Sequence, residues 1–328
     1  MVYEKIKNFD SNFQKLLKIK EDMEQTLETR ALKFRHVGLE HSAVDAHQRY
    51  QEIEKFYDEA TVDYKYWSPA FNMHYGYLKN PFSFFNREGM LEEMNEQILK
   101  RLNIKSENVR LIDMGCGVGA TSRHMAKRHT KANLFGVNLV QSHIQIGKHL
   151  NRKAKLSNQI KMLYADYHHV PLPKSTADGV FAVESMCHSP NKEEFLQEVH
   201  RLLNRGGRFV VSDCFLRSNG PIKNPISRWA YDKFKKNWHV ELIQIADLKK
   251  HLEENGFKDV KCENIRWRVA PSVMHSPWVV FKYFMGEFLK GKPIGRESLK
   301  NIKAVIQSIF LGLDGKNFGY FIVSATKK

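Results

Sequence analysis

From Val109 onward the chain alternates between short apolar runs and amphipathic segments, and that alternation admits few folds. "VRLIDMG", "NLFGVNL", "IKMLYADY", "ADGVFAVES" and "GGRFVVSDCF" read as strands. "ATSRHMAKRH", "SHIQIGKHLNRKAKL", "NKEEFLQEVHRLL" and "IADLKKHLEENGF" read as the helices between and after them. Nearly continuous apolar strands separated by helices need a sheet covered on both faces, which is the α/β doubly wound, Rossmann-like arrangement. Two further strands, "KDVKCENIRW" and "NFGYFIVSAT", are expected to complete a seven-stranded sheet as an antiparallel edge.

The remaining sequence predicts additions to that sheet. Residues 1–50 read as helical, with Leu16, Ile19, Met23 and Leu27 forming an apolar stripe. An aromatic-rich stretch follows, and "REGMLEEMNEQILKRLNI" reads as a helix ending near Asn103. The expected division is an N-terminal helical and aromatic cap over 1–95 and a ligand-binding domain over 96–328. Helical inserts near 215–240 and 271–313 are expected over the carboxyl ends of the strands, where such sheets bind ligands. The N-terminal helices are the expected contributors to any homo-oligomer.

Charge narrows the partners only partly. The net charge is +16, and 18 Lys and Arg stand against 9 Asp and Glu between Phe215 and Phe310. Such an excess suits nucleic acid, an acidic lipid surface or a phosphorylated small molecule, and serves solubility equally well. The charged start shows no secretory h-region, and "SPWVVFKYFMGEFL" is too short and too interrupted at Lys282 to span a bilayer. Four widely spaced cysteines show no metal-ligand spacing. Together these predict a cytoplasmic protein with no stable membrane insertion and no metal bound by its own residues.

"LIDMGCGVGATSRHM" (111–125) carries the ligand signal. Gly115, Gly117 and Gly119 allow close backbone approach, and the helix that follows favours an anionic group at its start. The dinucleotide pattern fits loosely, but the second strand ends in Asn138 rather than the acid a dinucleotide ribose wants. Asp113 before the loop would repel a pyrophosphate and welcome an ammonium. Asp166, closing the third strand, can accept a hydrogen bond from an adenine amino group.

These motifs, with "GVNLVQSHIQIGK", "YADYHHVPLP", "AVESMCHSPNKEEFLQEVHRLLNRGGRFVVSD" and "FGYFIVSATK", resemble the class I S-adenosylmethionine-dependent methyltransferases over about residues 47–328. The resemblance implies methionyl binding by Asp113, Gly115, Cys116, Gly117 and Gly119, and adenine contact near Asp166 and Tyr167. Most class I members carry a ribose-binding acid where Asn138 stands. Sterol, tocopherol and related C-methyltransferases often lack it and carry a Gln a few residues on, as Gln145 does here.

Glu184 ends the fourth strand at the carboxyl edge. "AVES-CH" is similar to the matching stretch of sterol and prenyl diphosphate C-methyltransferases, where an acid is tied to a carbocation. Adding a methyl to an alkene leaves such a cation, which needs a carboxylate, aromatic faces and a base. Glu184, His188 and Tyr57 are therefore the expected catalytic set, with His188 orienting Glu184 or accepting a proton. The alternative for Glu184 is to cap the next helix. Tyr64, Trp67, His74 and Tyr75 are expected to wall the acceptor pocket, with Phe71 beside them. Arg217 and Arg228, in a basic cluster after the fifth strand, are expected to bind a diphosphate, with Mg2+ if that is the substrate, or else to form a solvated helix face.

The expectation is methyl transfer to an isoprenoid alkene, with a prenyl diphosphate preferred over a sterol and cyclisation as a further outcome of the cation. The alternatives are a small-molecule O- or N-methyltransferase and a sterol-type C-methyltransferase. No proline is followed by cysteine and no Asn-Pro-Pro-aromatic turn ends the fourth strand, so no nucleic-acid partner is expected.

Overall fold

The computed structural model describes residues 52, 56–57, 64–218, 220–289, 291 and 294–328. All of these residues fall within one compact unit, 49–328. The apolar stripe of Leu16, Ile19, Met23 and Leu27, and the oligomer role expected of it, lie outside them.

Alternation of buried side chains builds the sheet. Its strands are β1 (Arg110–Met114), β2 (Asn133–Asn138), β3 (Ile160–Tyr164), β4 (Ala177–Val183), β5 (Leu203–Leu216), β6 (Phe257–Asn264) and β7 (Phe318–Lys327), in the order β3-β2-β1-β4-β5-β7-β6. Along β1, β4 and β5, Ile112, Val180 and Phe209 enter one core layer, and Leu111, Phe181 and Val210 enter the other. Burial on both faces is what gave these strands their unbroken apolar runs.

The helices cover the two faces. After a single turn, α1 (Tyr64–Trp67), α2 (Arg87–Leu102) buries Met90, Leu91, Met94, Ile98 and Leu102. Asn86 caps its start by accepting from the Gly89 N–H at 2.9 Å, and Asn103 ends it in the left-handed region at φ 50°. Helices α3 (Ala120–Arg128), α4 (Gln141–Lys153), α5 (Lys192–Leu202) and α7 (Ile245–Glu254) complete the layers. The inserts are α6 (Pro225–Trp238), then α8 (Arg266–Met274), α9 (Ser276–Leu289) and α10 (Arg296–Leu313).

The structure gives the edge of the sheet and two boundaries in more detail. The last two strands complete the seven-stranded sheet as an antiparallel edge, with β7 inserted between β5 and β6 and paired antiparallel with both. The sixth strand stops at Asn264, because Arg266 and Trp267 already belong to α8, and the second insert begins there rather than at 271. A boundary between 95 and 96 would cut α2, whose Met94, Ile98 and Leu102 pack in one apolar cluster with Leu111 of β1 and Val210 of β5.

Strand order reverses at β1, which pairs with β2 on one side and β4 on the other. The glycine loop leaves β1 there and Glu184 follows β4 there, at the crevice where open α/β sheets hold ligands.

Candidate active site

The glycine loop is shaped by left-handed backbone. Gly115, Gly117 and Gly119 have φ of 79°, 52° and 78°. A Cβ on Gly115 would lie 2.4 Å from the Ser185 Cβ, so glycine is required for close packing as well as for its torsion. Buried Arg123 pins the loop by donating to the Val118 carbonyl at 2.6 Å and the Ala70 carbonyl at 3.2 Å. Asp113, buried at the end of β1, accepts from the Ser122 hydroxyl at 2.7 Å, and burial raises its carboxyl to about 7. A cationic group beside it would restore the charge.

A cleft opens over this loop. Of the residues expected to hold the cofactor, Asp113, Gly115, Cys116, Gly117, Asn138, Asp166 and Tyr167 line it. Gly119 does not: it forms the turn into α3, where a Cβ would crowd the Met162 sulfur at 3.3 Å. Gln145 does not either, because two residues along α4 turn it away from the position His143 occupies. His143 is buried and held neutral, lowered to about 3 by desolvation, and its Nδ1 accepts from the Asn138 amide at 3.0 Å. Asn138 also donates to the Gly117 carbonyl at 3.2 Å, so its side chain braces the loop. Asp166 Oδ1 is engaged by the His168 N–H at 2.9 Å and the His168 ring at 2.7 Å, and the Tyr167 hydroxyl donates to the Ser185 carbonyl at 3.2 Å.

A second cavity, about 1080 Å3 with its mouth, lies on the other side of Glu184. Tyr57, Tyr64, Trp67, His74 and Tyr75 line it, whereas Phe71 lines the first cleft. Tyr57, Met73, His74, Glu184 and His188 line both, forming a shared wall.

Glu184 itself is held in the left-handed region at φ 47°. Its Oε1 accepts from the Tyr75 N–H at 2.6 Å and the Tyr320 hydroxyl at 2.7 Å. Both bonds converge on one oxygen and caps no helix, the cap of α5 being Asn191. Burial raises the carboxyl to about 8 against the pull of these two donors. His188 Nε2 pairs with the Tyr57 hydroxyl at 3.0 Å and its Nδ1 faces the His239 carbonyl at 3.4 Å. Burial pushes the Tyr57 phenol well above its ordinary value and lowers His74 to about 4, so both face the wall uncharged at neutral pH.

The basic cluster stands apart from this site. Arg217 and Arg228 are exposed and line neither cavity. Arg217 donates to the Gly315 carbonyl, and Arg228 donates to the Ile222 carbonyl at 3.0 and 2.8 Å. Among the described residues, the second cavity is lined by no Lys or Arg. Nor do those residues include a group of three or more His, Cys, Asp or Glu able to hold a metal ion.

Two neighbours of Glu184 escaped the sequence reading. Asp213 lines the second cavity beside Glu184, accepts from the Cys187 and Cys214 N–H groups at 2.9 and 2.8 Å, and is raised by burial to about 6. Its place at the end of β5 was a usable signal. Tyr320 reaches Glu184 from β7, and nothing in the spacing joins residues so far apart.

Residues 112–211 match the family described as Methyltransferase domain. The O-methyltransferase of Pyrenophora dematioidea is 27% identical over 258 residues, covering 78% of this chain and 88% of that protein. The sterol 24-C-methyltransferase of Eremothecium gossypii is 25% identical over 275 residues, covering 81% and 72%. Geranyl diphosphate C-methyltransferase from Streptomyces coelicolor A3(2), solved with Mg2+, geranyl diphosphate and S-adenosyl-L-homocysteine, superposes with a TM-score of 0.67 at 14% identity. That match covers 85% of this chain and 98% of that one, and it is a likeness of fold. No helix among the described residues is long and apolar enough to cross a membrane.

Proposed function

We propose that this chain is a class I S-adenosylmethionine-dependent methyltransferase that adds a methyl group to an alkene carbon of a large, uncharged isoprenoid. The observation that carries the reading is Glu184 on the wall shared by a glycine-loop cleft and an aromatic cavity without Lys or Arg among its described lining residues.

The donor cleft suits the cofactor: glycine backbone for close approach, Asp113 for the methionyl ammonium, and Asp166 and Tyr167 toward the adenine end. S-Adenosylmethionine bound there supplies an electrophilic methyl carbon. The residues around it have three tasks. Tyr57, Trp67 and Tyr75 exclude water and present aromatic faces to a cation. Glu184, with Oε1 fixed by Tyr75 and Tyr320, places negative charge where positive charge develops as the alkene forms its new C–C bond. Its Oε2 then takes a proton from the neighbouring carbon, the C–H electrons close a new double bond, and one hydrogen is exchanged for one methyl. Ionisation of Glu184 is favoured beside a positive charge, against the burial that raises its carboxyl.

Among the described residues, that cavity offers a diphosphate no cationic side chain, and burying one unpaired is costly. The preferred acceptor is therefore a sterol or a neutral polyprenyl chain. The test is incubation with labelled S-adenosylmethionine and zymosterol, neutral polyprenyl compounds, geranyl and farnesyl diphosphates with and without Mg2+, a phenol and an amine. A carbon-bound methyl on a neutral isoprenoid is expected, lost at least about 100-fold in Glu184→Gln. Label confined to the phenol or amine, or to a diphosphate, would replace this reading.

A further inference from the structure

Helix α9 has two apolar stripes where its packing needs one. At 100° per residue, Ser276, Val279 and Tyr283 share one side and are buried against the fold. Trp278, Phe281, Met285 and Phe288 recur at the same spacing on the opposite side, with Trp278 and Phe288 55% and 78% exposed. A surface helix of a globular protein is polar on that outer face. The apolar surface continues onto neighbouring elements. The 3-10 turn Pro81–Phe85 exposes Phe82 and Phe85 and is tied to the junction of α8 and α9 by the His275 Nε2, 2.8 Å from the Phe84 carbonyl.

Cations are interleaved with these rings. Lys282 Nζ lies 5.6 Å from the Trp278 ring, and the Arg266 guanidinium 4.1 Å from the Trp267 ring. From Asn264 to Leu313 the sequence holds eight Lys and Arg against two Asp and Glu. Aromatic side chains flanked by cations match the boundary between acyl chains and anionic headgroups. At 14 residues, α9 is too short to cross a bilayer and long enough to lie in that boundary.

The face also leads inward. Trp267, Met274 and Leu313 are exposed, and the same three side chains line a further apolar chamber that shares Tyr75, Cys214, Phe234, Leu242 and Ser308 with the second cavity. The Tyr75 hydroxyl meets the Ser308 hydroxyl at 2.8 Å on the wall between them.

We propose that the outer face of α9, with the Pro81–Phe85 turn, seats this protein on an anionic phospholipid bilayer. Resting on the function proposed above, the chamber behind α8 is then the route by which a bilayer-dissolved acceptor reaches Glu184.

The experiment uses the full chain and vesicles of phosphatidylcholine, alone or with about one-third phosphatidylglycerol, pelleted without any acceptor. Wild-type protein is expected to pellet at least about tenfold better with the anionic vesicles. Substituting Trp278, Phe288 and Phe85 together with serine, or Lys282→Glu, should lower that binding about tenfold while S-adenosylmethionine affinity holds within about twofold. Wild-type partition of the serine variant overturns the proposal. So does a vesicle-free dimer that the same substitutions abolish, which would assign the face to a second copy. Because no acceptor is present, failure of the methyl-transfer reading leaves this result unaffected.

Discussion

The two oxygens of Glu184 are not equivalent. Oε1 is spent on the Tyr75 N–H and the Tyr320 hydroxyl, which leaves Oε2 for ligands. With its carboxyl raised to about 8, Glu184 holds a proton at neutral pH, and a bound positive charge expels it. Affinity for S-adenosylmethionine should therefore rise between pH 6.5 and 8, by up to about tenfold per unit, and level off above. S-Adenosylhomocysteine keeps the ammonium that Asp113 would face but lacks the sulfonium charge, so its affinity should rise much less. Calorimetry in buffers of different ionisation enthalpy measures the expelled proton directly, and equal release for both ligands would separate Glu184 from the transferred methyl. Tyr320→Phe removes a donor that favours the charged carboxylate. It should move the pH-dependent rise upward and lower kcat about tenfold. Glu184 was legible because it follows a strand at the carboxyl edge. Tyr320 was not, because its role depends on β7 being laid between β5 and β6.

Helices and strands announced themselves through periodicity, since one buried face per helix and two per central strand leave different spacings. What spacing could not show was which way a charged element turns. The bases of α6 read first as a solvated face, with a diphosphate clamp as the sharper alternative. In the fold this helix buries Ser227, Ala230, Tyr231 and Phe234 and leaves Arg228, Lys233 and Lys236 exposed. Replacing Arg217 and Arg228 by alanine should thus leave the acceptor KM within about twofold, because the lost contacts are surface bonds to carbonyl oxygens. A tenfold rise in steady-state KM would return those cations to the acceptor site. Gln145 illustrates the same limit: two residues along α4, His143 holds the position facing the cleft.

For the whole molecule, three buried carboxyls set the response to pH. Asp113, Asp213 and Glu184 are raised by burial to about 7, 6 and 8, so the folded chain keeps protons that the unfolded chain has released. Stability consequently falls as pH climbs from the ordinary carboxylate range through these values. His74 and His143, held neutral at about 4 and 3, act in the opposite sense only below the ordinary imidazole value. Between pH 6.5 and 8 the carboxyls are unopposed, and the ligand-free protein should lose about 2 kcal/mol, or about 5 °C in Tm. Scanning fluorimetry checks this, and Glu184→Gln should remove most of the slope. The two ligand sites also divide the chain unequally. The donor cleft is lined, among the described residues, by side chains from Tyr57 to His188, whereas the chamber behind α8 draws all but Tyr75 from Cys214 onward. Substitutions after Cys214 can therefore reshape that chamber while leaving the lining of the cleft unchanged, so a path into the molecule can vary independently of the glycine-loop site.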